Sequence, residues 1–149
     1  MNNARIGGVA LALIISSGTP AVAQPAGAGI VKVASGSVFI VRQSGTVPVQ
    51  LGQVVFETDS LRTGADGRVG VTFKDDSRVS LGPNSEVKLE RFVYAPAEGS
   101  LGLVLRFARG MAAYVSGRIA KLAPDSIRLE TPAAIVGVRG TTVAIRAGQ

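Results

Sequence analysis

The chain has 149 residues, 46% of them hydrophobic, with sixteen Lys and Arg against ten Asp and Glu for a formal net charge of +6. It contains no cysteine and no histidine. That removes disulfide staples, most zinc, copper and haem sites, and every nucleophile–histidine pair, so packing and backbone pairing must hold the fold.

The N-terminus reads as an export signal. Met1 to Arg5 is a short segment with one positive charge, and Ile6 to Ile15 is an uncharged, mostly apolar core. Ser16 to Pro20 breaks that core, and Ala21-Val22-Ala23 fits a small-x-small cleavage site before Gln24. A membrane anchor would need about 20 apolar residues. Gly7, Gly8, Gly18 and Pro20 argue against a packed helix. Cleavage of residues 1–23 would leave 126 of the 149 residues, enough for one domain with its own core, and would lower the net charge from +6 to +5 by removing Arg5. No second stretch reaches membrane-spanning length, and no lipidation cysteine follows the signal. The expected product is periplasmic or secreted and soluble. A basic exported domain favours anionic lipid head groups, anionic glycans or an acidic protein face over nucleic acid. The plainer role of the same residues is solubility.

Gln24–Gly29 is a flexible lead-in, and residues 30–149 are expected to form one β domain. From Ile30 on, the dominant period is two. Val69, Val71 and Phe73 alternate with Arg68, Gly70 and Thr72. The same alternation carries Val79 and Leu81, Val87 and Leu89, Leu101 to Phe107, Ile127 and Leu129, and Val143 and Ile145. Turn chemistry separates these runs at Ala65-Asp66-Gly67, Lys74 to Ser77, Gly82-Pro83-Asn84, Pro96 to Gly99 and Ala123-Pro124-Asp125. Asx-Ser pairs at strand entries (Asp76-Ser77, Asn84-Ser85, Asp125-Ser126) read as Asx turns. No window of eleven or more residues shows a helical period. The pattern predicts an all-β sandwich of jelly-roll-like character with ten to twelve short strands; a β-roll or short β-helix is the alternative.

The ordered set Leu51-Gly52, Thr58 to Gly64, Asp66-Gly67-Arg68, Val71 to Ser77 and Leu81 to Ser85 resembles the FecR domain. Gly110 and the closing run Thr131-Pro132-Ala133-Ala134-Ile135-Val136-Gly137-Val138-Arg139-Gly140-Thr141 continue the likeness, which covers roughly residues 36 to 146. The resemblance implies an all-β periplasmic domain. In the best-known members that domain belongs to an anti-sigma regulator of iron-siderophore uptake and relays a signal from an outer-membrane transducer. With residues 1–23 read as a cleavable signal, this sequence is expected to depart from that plan, without the cytoplasmic anti-sigma segment and the transmembrane helix. The exported β module and an interaction or sensing role are therefore what carry over.

Two candidate sites stand out. Gly137-Val138-Arg139-Gly140-Thr141 can form a backbone nest presenting a guanidinium to an anion. The favoured alternative is a bulge in which Gly140 allows close backbone approach and Arg139 pairs with an internal carboxylate, Glu130 or Asp59. On either view Arg139→Ala is expected to lower stability. Arg106, Arg109, Arg118 and Lys121 would form an anion-binding stripe if they lie on adjacent strands; a solvated face is the plainer outcome. Asp75-Asp76-Ser77 reads as a hairpin turn, since the calcium-loop spacing is missing. There is no P-loop, nucleophile elbow, dinucleotide fingerprint or nominated carboxylate pair, so no enzyme, cofactor or metal is expected. The expected function is a non-enzymatic interaction or sensing module of the cell envelope. A protein partner would add a strand to an exposed edge such as Val143 to Ile145. The alternative is an envelope-structural or polyanion-binding module that takes an anionic glycan.

Overall fold

The computed structural model describes residues 26–148, together with Gly7 and residues 18–21; the predicted signal and its cleavage site fall almost wholly outside them. The described residues form an all-β domain of twelve strands. In chain order these are β1 (Gly29–Ser35), β2 (Val38–Arg42), β3 (Gly45–Pro48), β4 (Val54–Val55), β5 (Ser60–Thr63) and β6 (Arg68–Phe73). There follow β7 (Arg78–Leu81), β8 (Glu86–Ala95), β9 (Ser100–Val115), β10 (Ile127–Glu130), β11 (Ile135–Gly137) and β12 (Thr142–Ala147). One short helix, α1 (Arg118–Leu122), and two 3-10 turns at Pro96–Glu98 and Pro124–Ser126 complete the fold.

The strands make one sheet curled into two halves. The first half runs β4-β1-β6-β7-β9-β12 and the second β3-β2-β5-β8-β9-β10-β11, with β9 common to both. The N-terminal part of β9 lies between β8 and β10, and its C-terminal part between β7 and β12. The period-two pattern puts Val69, Val71, Phe73, Val79 and Leu81 of the first half against Ile40, Leu61, Val87, Leu89, Leu103, Leu105 and Phe107 of the second in one buried cluster. Each such side chain contributes about 1.5–3 kcal/mol on burial. Phe73 of β6 stacks on Phe92 of β8 at 5.6 Å, joining the halves.

Two features differ from the expectation of short strands. β8 has ten residues and β9 sixteen. β10 also pairs with β9 in parallel, Ile127 opposite Leu103. Alternation does not encode strand direction; the crossover through α1 and the second 3-10 turn does.

The bend in β9 falls at Gly110, whose φ of +89° lies in the left-handed region. A Cβ there would sit 2.6 Å from Cβ of Ser85. Fully buried Ser85 holds the bend: its hydroxyl accepts from the Met111 N–H at 3.0 Å and lies 3.0 Å from the Pro83 carbonyl oxygen and 3.2 Å from that of Met111. Thr63 ties in β5, since its Oγ1 accepts from the Ser85 N–H at 2.9 Å and donates to the Gly82 carbonyl at 2.6 Å.

The Lys74–Ser77 segment is a turn that positions α1. Asp75 is fully buried and its carboxylate accepts from the N–H and hydroxyl of Ser77 and from the Ile119 N–H. Its carbonyl accepts from the Arg118 N–H at 2.7 Å. Among the described residues no cluster of acidic groups is arranged to hold a metal. Tyr114 lies beside Ser77 and Asp75, fully buried, with no hydrogen-bond partner of good geometry for its hydroxyl. Burial first, and then the Asp75 charge, push its phenol up to about 12 from 10.0.

Gly110→Ala should destabilise the domain by about 2 kcal/mol or more in urea unfolding, because the added Cβ meets the Ser85 backbone. For Tyr114 the native state holds the proton above the unfolded phenol's value, so stability is full below pH 10 and falls as pH rises toward 12. Tyr114→Phe should flatten that alkaline slope in pH-dependent thermal melting and leave stability near pH 7 little changed.

Candidate functional site

The C-terminal strand and the loop leading into it make the one region where the predicted motifs converge. β12 pairs with β9 along one side, Thr142 opposite Val115 through Ala147 opposite Gly110. The Ser116 N–H donates to the Thr141 carbonyl at 2.8 Å, which marks that pair as hydrogen-bonded. Antiparallel pairs alternate, so Tyr114–Val143 and Ala112–Ile145 are bonded as well. The N–H and C=O groups of Thr142, Ala144 and Arg146 then point away from β9, to a side with no strand partner among the described residues. The other side of β9 agrees: the Gly82 N–H donates to the Met111 carbonyl at 2.9 Å, assigning the alternate residues to β7.

Beside the start of β12 is a cleft of about 680 Å³, walled by Ser116, Ala120, Lys121 and Asp125 on one side and by residues 138–141 on the other. Val138 is buried and anchors that loop in the core, while Arg139 and Gly140 are exposed. The Ser116 hydroxyl donates to the Gly140 carbonyl at 3.0 Å and fixes the loop's exit into β12.

Arg139 has no ion-pair partner among the described residues. Both carboxylates expected to receive it are engaged elsewhere: Glu130 by Arg106 at 3.1 Å, and buried Asp59 by both Nε and Nη2 of Arg42 at 2.9 Å each. Neither Gly137 nor Gly140 has a positive φ, and a Cβ at either would meet nothing within 4 Å. Neither the nest nor the close-approach bulge therefore describes them; the loop is held by Val138 and Ser116 instead.

The four basic residues do not form a stripe. Arg106 and Arg109 lie on β9, and Arg118 and Lys121 on α1. Arg106 bridges Glu90 and Glu130, both at 3.1 Å, Arg109 faces Glu86 at 3.8 Å, and Arg118 meets Asp76 at 3.0 Å. The cause is register: β8 and β10 place acids opposite the β9 arginines, and the outer face of the second half-sheet becomes a ladder of paired charges. Exposed pairs of this kind contribute about 0–1 kcal/mol each. Lys121 alone of the four has no ion-pair partner among the described residues, and it lines the cleft together with Arg139. The backbone groups of the β12 edge carry no side-chain signature; only the alternation and terminal position of Val143 and Ile145 pointed there.

A family model described as FecR protein matches residues 59–149. The chain belongs to the FecR family. The matched stretch contains the corner residues Thr63, Ser85 and Gly110, the cleft and the whole of β12. FecR proteins are regulatory, and the motif residues of this chain do structural work, holding turns and the bend of β9. No curated protein and no solved structure matches the chain. Among the described residues no helix is long and apolar enough to cross a membrane.

Arg139→Ala should leave the unfolding free energy in urea unchanged within about 0.5 kcal/mol, as befits an exposed and unpaired side chain. Arg42→Ala, which strands the Asp59 carboxylate in the interior, should cost about 3 kcal/mol in the same assay.

Proposed function

We propose that this FecR domain is a non-enzymatic regulatory module of the cell envelope, exported by residues 1–23, and that a protein partner adds a strand along the open side of β12. The observation that carries this reading is the character of the sheet edges. β4 has two residues, β11 three, and β3 four ending in Pro48. Edges so short, or closed by proline, are protected from pairing. β12 has six residues and no proline, and Ala144 at the centre of its open side is exposed. An unprotected edge of that length supports strand addition, in which main-chain hydrogen bonds give affinity and neighbouring side chains give specificity. Lys121 and Arg139, in the cleft at the head of β12, supply that specificity by receiving a carboxylate of the incoming segment.

Three of the four basic residues nominated for the glycan-binding alternative, Arg106, Arg109 and Arg118, are paired with carboxylates, which weighs against it. A photo-crosslinking residue at position 142, in the protein expressed in its own envelope, tests the reading. It should yield an adduct with a protein of defined mass. Ala144→Pro removes an outward N–H without touching the bonds to β9, and should reduce that adduct at least tenfold with the fold retained. An adduct indifferent to the proline, or one with glycan alone, would contradict the proposal.

A further inference from the structure

The outer face of the first half-sheet carries a charge pattern unlike the rest of the molecule. Five strands align Val33, Gly70, Ser80, Ala113 and Ala144 as lateral neighbours. The β-bulge at Lys32 turns Val33 outward, so that it is 55% exposed. On one flank of this row lie Arg68, Met111 and Arg146, and on the other Thr72, Arg78 and Thr142. Between the flanks is a shallow hollow of about 490 Å³. The row is about 19 Å long, and the flanking rows stand about 13 Å apart.

Lys32, Arg68, Arg78 and Arg146 are exposed and have no ion-pair partner among the described residues. The strands of this face present no Asp or Glu outward. These four are unopposed positive charges on one face of a chain whose formal net charge is +6. On the outer face of the second half-sheet Arg62, Lys88, Arg106 and Arg109 pair with Glu86, Glu90 and Glu130, and only Arg91 and Arg128 stand without an ion-pair partner among the described residues. What sets the first face apart is that it carries no acid at all, and four like charges on one face do nothing for folding.

We infer that this face docks an acidic amphipathic helix of a protein partner, an inference that rests on the reading of the domain as a protein-binding module. The floor is apolar and small, and Val33 and Met111, more than half exposed, offer contact area at its rim. A helix about 10 Å across fits between the flanking rows. Its apolar stripe would lie on Gly70, Ala113 and Ala144, and its Asp and Glu residues would reach Arg68 and Arg146 on one flank and Arg78 on the other. No aromatic side chain faces outward from these strands to stack on a sugar ring, which favours protein over glycan. The hollow adjoins β12, so one partner can present a strand to the edge and a helix to the face.

The probe is a synthetic helical peptide of about 18 residues (about 27 Å long) with a leucine stripe flanked by glutamates. It should shift the backbone amide resonances of Gly70, Ser80 and Ala113, and weaken as salt screens the pairs. Arg68→Glu with Arg78→Glu should weaken binding at least tenfold and confer binding of the lysine-flanked isomer. These residues lie on β6 and β7, away from the β12 edge. Equal or tighter binding of a sulfated oligosaccharide or of anionic phospholipid vesicles on the same amides would overturn the inference. So would peptide binding unaffected by the double substitution, or the absence of shifts on this face. If the double variant fails to fold, the wild-type shift map and its salt titration decide alone. An edge crosslink lost on Ala144→Pro but untouched by the Arg68 and Arg78 substitutions would keep the strand-addition reading and reject the helix face; the opposite outcome would reject strand addition and keep the face.

Discussion

Everything in this fold depends on β9 turning at Gly110. A sixteen-residue strand that stayed straight would leave the two half-sheets side by side, with their apolar faces in water. Gly110 supplies the left-handed residue, and the buried Ser85 hydroxyl and Thr63 Oγ1 hold the backbone on both sides of it. The bend lets the alternating apolar residues of both halves meet in one core. It also hands the C-terminal part of β9 to β12, and so creates the open edge. The motif residues around Thr63 and Gly82–Ser85 are best understood as the parts of this corner rather than as a site.

The same bend divides the surface. On the second half-sheet, antiparallel β8 and parallel β10 bring Glu86, Glu90 and Glu130 beside Arg106 and Arg109, and the charges neutralise one another. On the first half-sheet no acid faces Arg68, Arg78 or Arg146. One face thereby carries acids and bases together, mostly paired, and the other carries bases alone. That basic face, the β12 edge and the cleft of Lys121 and Arg139 lie on adjoining parts of the molecule. This arrangement suits a module that recognises protein, with main-chain pairing at the edge and charge at its sides.

Much of the fold was legible in the sequence. Period two marked most of the core strands, and Asx, Gly and Pro clusters marked their turns, because both signals are local. The Lys74–Ser77 turn followed from the same chemistry. The bend in β9, its parallel partner and the pairing of the arginines were not legible, since register and direction are tertiary properties. Arg106 looks like a free cation along the chain and is doubly paired in the fold; Arg139 looks internal between its glycines and is exposed. The five residues of α1 are too few to show a helical period, so nothing along the chain marks Arg118 and Lys121 as helical. The edge at Val143 to Ile145 was legible from its terminal place, but which of its amides are free came only from the Ser116–Thr141 hydrogen bond.

Residue-resolved hydrogen–deuterium exchange along β12 reads out the open edge amide by amide. The Val143 and Ile145 amides, bonded to β9, should exchange slowly, while those of Thr142, Ala144 and Arg146 should exchange fast, a period-two pattern expected of an unpaired edge. Uniform protection across residues 142 to 146 would mean that the edge is already covered, and would contradict the proposed mode of binding.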